Sequence, residues 1–76
     1  MPKTAKDWED QTKGLLKAEL KRKNISYAQL AGLLADVGVM DAEANIRNKL
    51  SRGKFTAVFL IQCLTAIGST LLRLDE

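Results

Sequence analysis

The sequence predicts a compact all-α domain of four to five helices, formed by residues 1–76 as one unit. Its 76 residues are enough for one domain and too few for two. The apolar residues recur at helical spacing, and no stretch alternates apolar and polar residues as a half-buried strand would. Clusters of turn-forming residues separate four segments that share this helical spacing.

The first predicted helix covers about residues 5–23. Thr4 followed by Asp7 has the spacing of a capping box, in which each residue bonds the backbone of the other. Basic residues fill the last turn, where the helix dipole favours cations. We expect the buried side to be formed by Trp8, Leu15, Leu16 and Leu20, with the lone tryptophan as a core anchor.

The second predicted helix covers about residues 26–37 and ends at Gly38. Ser26 and Gln29 again have capping-box spacing. Its apolar positions are Tyr27, Leu30, Ala31, Leu34 and Val37.

A third helix is predicted at about 41–52, with Asp41 as its N-cap and Gly53 in the left-handed position after its end. Ala42, Ile46 and Leu50 are expected to point inward.

The fourth helix, about 57–67, should begin at a Thr56 N-cap and end at Gly68. Its only polar residues are Gln62 and Thr65, so we expect the other helices to surround it. The tail 69–76 carries three leucines that either pack on the first helix or meet a second subunit.

The composition argues against several classes of protein. The chain has no histidine and a single cysteine, Cys63, which we expect to be a buried thiol. No nucleophile–base pair and no metal-ligand spacing is present, so we expect no enzyme, no cofactor, no metal and no small-molecule substrate. Without a signal sequence or an apolar run long enough for a membrane, we expect a cytoplasmic protein.

Basic residues are concentrated in the middle of the chain. Residues 13–54 contain nine basic and four acidic residues, within a net charge of +3. Lys13, Lys17 and Lys21 follow at four-residue intervals, which indicates either an anionic partner or a solvated lysine face. The third helix also has outward polar and charged residues, which form either a surface that contacts DNA bases or an ordinary polar surface: Glu43, Asn45, Arg47, Asn48, Lys49 and Arg52.

Two motifs carry a family resemblance. ISYAQLAGLL, from Ile25, and NIRNKLSRGKF, from Asn45, resemble the second helix and the end of the recognition helix of the lambda-repressor-like (XRE/Cro) helix-turn-helix family. The patterns KxELKRxxxxYxxLA and NxxNKxSRGxF, with the helix FLIQCLTAIG, are similar to a small bacterial group of unknown function within it. The resemblance covers residues 16–72.

The resemblance implies a transcriptional regulator that binds double-stranded DNA as a homodimer, and it implies roles for particular residues. The base contacts would be Glu43, Asn45, Arg47 and Asn48. The backbone contacts would be Lys17, Lys21, Ser26, Tyr27, Lys49, Arg52 and Lys54. The alternative is a protein-interaction module on the same scaffold. The turn 38–43, which is longer than in the family pattern, favours this alternative, as do its acidic residues Asp41 and Glu43.

Overall fold

Four α-helices make up the fold in the computed structural model, which describes residues 2–74. α1 spans Ala5–Arg22, α2 spans Tyr27–Asp36, α3 spans Glu43–Arg52 and α4 spans Ala57–Ala66. The described residues contain no strand, which confirms the all-α prediction. They form four helices and not five, because residues 67–74 are turns and irregular chain. The predicted tail ends at Asp75 and Glu76, which lie outside the described residues.

The predicted caps start three of the helices. The Thr4 hydroxyl accepts from the Asp7 backbone N–H at 3.2 Å, and the Thr4 N–H donates to the Asp7 carboxylate at 3.0 Å. Ser26 and Gln29 make the same reciprocal pair at the start of α2. The Thr56 hydroxyl accepts from the Phe59 N–H at 3.0 Å. These bonds satisfy backbone donors that the first helical turn leaves free.

The prediction for the start of α3 was wrong. The helix begins at Glu43, and its N-cap is Ala42, which makes no side-chain capping bond. The Asp41 carboxylate instead accepts a hydrogen bond from the Lys49 ammonium at 2.6 Å, so Asp41 lies beside α3 and does not cap it. Ala42 was expected to point inward but is exposed, since it precedes the first helical turn.

The core lies between α2 and the helices around it. α1 packs against α3, and α2 packs against both α3 and α4. The largest fully buried side chains are Leu16, Leu30, Leu34, Ile46, Leu50 and Cys63. Burial of a leucine or isoleucine side chain stabilises a fold by about 1.5–3 kcal/mol. The apolar periodicity of the first three helices therefore predicted most of this core.

Gly53, at the end of α3, packs closely against the backbone of the first half of α1. It has a left-handed φ of 68°, as predicted for the position after the helix. A Cβ at Gly53 would lie 2.9 Å from the carbonyl carbon of Glu9 and still closer to its oxygen. The Lys13 ammonium also donates to the Ser51 carbonyl at 3.2 Å. Glycine is thus required at this position both by conformation and by the close backbone approach.

Two further apolar residues that were expected in the core are exposed. Trp8 is 57% exposed and lies beneath the Lys3 ammonium, which is 4.4 Å from the ring centre. The buried side of α1 begins only at Leu15, so Trp8 lies beyond the part of α1 that meets the core. Val37, predicted to lie on the apolar side of α2, is its C-cap residue and is also exposed.

α4 is not surrounded as predicted. Phe59 and Cys63 are buried, but Val58 is 64% exposed and Ile61 is 63% exposed. The main helix contact of α4 is with α2, and the side that carries Val58 and Ile61 is open to solvent in the described part of the chain. We call Val58 and Ile61 the outer face of α4.

Glu19 connects α1 to the chain that follows α4. This buried carboxylate bonds the Arg22 guanidinium, and it accepts from the Ser69 hydroxyl at 2.9 Å. The bond from Arg22, followed by that from Ser69, lowers the pKa of Glu19. The Gln11 amide also donates to the Leu74 carbonyl at 3.5 Å. The described tail therefore returns to α1 through polar contacts, while Leu71 and Leu74 stay exposed.

Candidate nucleic-acid interface

The start of α2 lies beside the outward side of α3. The Arg47 guanidinium carbon is 5.7 Å from the centre of the Tyr27 ring, a distance at which a cation and an aromatic face attract each other. The same guanidinium bonds the Glu43 carboxylate at 2.6 Å. Three predicted site residues from two helices thus form one cluster, Tyr27–Glu43–Arg47.

A second group of predicted residues surrounds a shallow depression at the C-terminal end of α3. The depression has a volume of about 240 Å³. Its lining consists of amides and cations: Asn45, Asn48, Lys49, Arg52 and Lys54. Asn45 and Asn48 were predicted to contact bases and the other three to contact the DNA backbone, so the structure brings both kinds together.

Ser26 and Lys21 meet at the corner between α1 and α2. They line a shallow depression of about 460 Å³ together with Asn24 and Gln29, which the sequence analysis did not select. The Ser26 hydroxyl already accepts the capping bond from Gln29. A hydroxyl keeps its own proton in that role, so Ser26 can still donate to an anion.

The predicted lysine row on α1 divides into two parts. Lys13 is partly buried, where it donates to the Ser51 carbonyl and pairs with Asp10 at 3.5 Å. Lys17 and Lys21 are exposed. The first lysine therefore holds α1 to the end of α3, and the other two are available to a partner.

Acidic side chains accompany three of the cations near α3. Besides the Arg47–Glu43 pair, Lys49 bonds Asp41 at 2.6 Å and Lys54 approaches Glu9 at 3.7 Å. The Lys49 ammonium also lies 4.4 Å from the centre of the Phe59 ring. Lys49 is consequently held against Asp41 and Phe59, although its side chain stays 40% exposed.

Glu9 and Asp41 were not predicted as partners of these cations. Glu9 and Lys54 are far apart in the chain, and only the packing of α1 on α3 brings them together. Arg52 has no ion pair with any described residue and lines the same depression as Lys54. Arg52 is therefore the α3 cation whose positive charge no described acidic side chain neutralises.

Cys63, the single cysteine, is buried in the core. Burial raises the pKa of the Cys63 thiol to about 12, so this thiol stays protonated at neutral pH. Within residues 2–74, no three histidine, cysteine, aspartate or glutamate side chains converge as metal ligands would. None of the four helices is long and apolar enough to cross a membrane.

Comparison with known proteins gives one family match. A model described as a domain of unknown function, DUF6471, matches residues 8–72. No curated protein matches the chain significantly. No solved structure does either. The matched segment contains α2, α3, α4, all of α1 from Trp8 onward and every residue of the candidate interface.

Proposed function

The chain belongs to DUF6471, a domain family of unknown function, and we propose that it is a lambda-repressor-like helix-turn-helix protein that binds double-stranded DNA and regulates transcription. In this proposal α2, the connection 37–42 and α3 form the helix-turn-helix, and α3 is the recognition helix. The observation that carries the proposal is the contact between Arg47 and Tyr27, which unites the start of α2 with the outward side of α3.

Base recognition is assigned to the outward residues of α3. The major groove of B-DNA admits an α-helix, and an arginine there can bond two acceptors of one guanine. Asparagine can make the equivalent pair of bonds with adenine. Arg47, Asn45 and Asn48 are all exposed on the same helix, and they supply these two chemistries.

Backbone contacts are assigned to cations and to the start of α2. Lys17, Lys21 and Arg52 are exposed, and none of them has an ion pair with a described residue. The N-terminus of α2 adds the positive end of a helix dipole next to Ser26. Lys49 contributes less in this scheme, because Asp41 already neutralises it.

We further propose that the protein acts as a homodimer through the outer face of α4. Helix-turn-helix proteins commonly bind two half-sites about one DNA turn apart, and a dimer presents two recognition helices at that spacing. Residues 55–72 carry no charged side chain. Two copies of a cationic chain therefore approach each other with least repulsion at Val58 and Ile61.

A protein-interaction module is the second candidate. The acids beside Arg47, Lys49 and Lys54 favour it, because they reduce the attraction of the α3 surface for phosphate. Lys17 and Lys21 on α1, which have no ion pair with a described residue, favour DNA. The DNA-binding candidate predicts that a DNA duplex binds the protein without any other partner, and the protein-interaction candidate predicts that it does not.

Selection of bound duplexes from a random pool tests the proposal. We expect enriched sequences that contain two related half-sites about 10 base pairs apart. Lys17→Ala should weaken binding to enriched and unenriched duplexes alike, whereas Lys6→Ala, at the far end of α1, should leave both affinities unchanged. A pool that stays unenriched, with no duplex retained at low salt, would favour the protein-interaction module.

A further inference from the structure

We propose that Glu43 is a positioning residue that determines the specificity of Arg47, and that it does not itself contact a base. This inference rests on the proposed DNA-binding function. In this proposal, the Arg47–Glu43 pair binds the edge of a guanine base in preference to a backbone phosphate.

The geometry holds the Arg47 side chain from two directions. Glu43 lies one helical turn before Arg47, and its carboxylate bonds a terminal nitrogen of the guanidinium at 2.6 Å. The Tyr27 ring, from the neighbouring helix, lies 5.7 Å from the guanidinium carbon. Both charged side chains are partly exposed, so a ligand can reach them while they are paired.

The donors of the guanidinium are sufficient for two partners at once. Arginine has five N–H donors in a fixed plane, and the bond to Glu43 uses the terminal nitrogen Nη2. The remaining donors include a pair that can bond the O6 and N7 atoms of one guanine. Arg47 can therefore bind guanine without releasing Glu43.

The Arg47–Glu43 pair also disfavours contacts with DNA phosphates, which are the same in every sequence. A phosphate attracts Arg47 chiefly through its charge, and Glu43 cancels that charge nearby. Glu43 also repels the phosphates that flank the groove. Because the guanine contact depends on orientation and the phosphate contact depends on net charge, Glu43 weakens nonspecific binding more than specific binding.

The Lys54–Glu9 pair provides a matched comparison. Its two charged atoms are 3.7 Å apart, and a lysine ammonium has no planar pair of donors for one base. Removing the Glu9 charge should strengthen binding to every duplex by a similar factor. Glu43→Gln and Glu9→Gln remove the same charge, so they separate the positioning effect from the effect of net charge.

The experiment compares the dissociation constants of wild type, Glu43→Gln, Glu43→Asp and Glu9→Gln. Each is titrated by fluorescence anisotropy against the duplex that wild type selects from a random pool and against a scrambled duplex of equal composition. We expect Glu43→Gln to bind the scrambled duplex more tightly and to lower the specificity ratio about 10-fold, a typical value for one bidentate base contact. Glu43→Asp should keep most of the ratio, and Glu9→Gln should change it less than about 2-fold.

Parallel shifts of both affinities in Glu43→Gln, equal to those in Glu9→Gln, would overturn the assignment and leave DNA binding intact. Loss of the selected duplex alone in both Glu43→Gln and Glu43→Asp would also overturn it, because Glu43 would then contact a base directly. Wild-type protein that binds neither duplex would overturn the proposed function and this inference together.

Discussion

The Arg47 guanidinium carbon lies 5.7 Å from the centre of the Tyr27 ring. Tyr27 is the first residue of α2, and Arg47 is at the middle of α3. The contact connects the start of α2 to the outward side of α3. The positive end of the α2 dipole and the exposed polar side of α3 therefore lie next to each other.

Replacing Arg47 with alanine should relax sequence preference. The loss of one bidentate guanine contact reduces discrimination by about 1–3 kcal/mol. We expect the selected duplex to lose affinity while a scrambled duplex changes little, as measured by competition in a gel-shift assay. An equal loss on both duplexes would instead place Arg47 on the DNA backbone.

Gly53→Ala should destabilise the protein more than Gly68→Ala. Both glycines have a left-handed φ, 68° and 76°, but only at Gly53 does a Cβ meet backbone atoms, those of Glu9. The conformational strain costs about 1–3 kcal/mol at either position, and the overlap adds to it at Gly53. Urea unfolding followed by circular dichroism measures both changes. Equal losses would show that α1 moves away from Gly53 without cost.

Acid should weaken the link between α1 and the chain after α4. The hydrogen bonds from Arg22 and Ser69 lower the pKa of Glu19 in the folded protein. The ionised carboxylate thus contributes stability above its unfolded pKa of about 4.3, and the contribution disappears as the pH falls through the lower folded pKa.

Glu19→Gln tests this pH dependence. The variant should be less stable than wild type at pH 7, and the difference in the free energy of unfolding should shrink as the pH falls below about 4. Ser69→Ala, which removes one of the two partners, should lose about 1.5–3 kcal/mol at pH 7, the range for a hydrogen bond to a charged group. A difference that is constant with pH would contradict the role of the ionised carboxylate.

Ile61→Glu should produce a monomer. The substitution places a charge on the outer face of α4, where the two copies of the proposed homodimer meet. Size-exclusion chromatography with light scattering measures the mass directly. Met40→Glu is the matched control, because Met40 is also exposed and lies in the connection between α2 and α3. If Ile61→Glu keeps the wild-type dimeric mass, the interface lies elsewhere.

Features that depend on neighbours in sequence were predictable. The Thr4, Ser26 and Thr56 caps and the left-handed Gly53 each depend on a few adjacent residues, and the structure confirms them. Leu16, Leu30 and Leu50 were expected to be buried from the helical period, because the period identifies the inner side of an amphipathic helix.

Features that depend on packing were not predictable. Trp8 has a core-type side chain, but it precedes Leu15, the first buried residue of α1, and stays exposed. Periodicity could not identify the exposed side of α4, because apolar residues occur on all of its sides. The pairs Lys54–Glu9 and Lys49–Asp41 join residues that only the tertiary fold brings together. Local sequence therefore predicted the cations of the candidate interface and Glu43, but not that Glu9 and Asp41 would pair with two of these cations.

The salt dependence of DNA binding shows whether this domain binds DNA through its exposed cations. Wild-type protein is titrated against a duplex from the selected pool at several salt concentrations, and the logarithm of the binding constant is plotted against the logarithm of salt. Binding to phosphates through Lys17, Lys21 and Arg52 predicts a straight line whose slope is about −0.9 for each phosphate neutralised, and Lys17→Ala should reduce its magnitude by about 1. No detectable binding at the lowest salt, or a slope near zero, would contradict DNA binding by this domain.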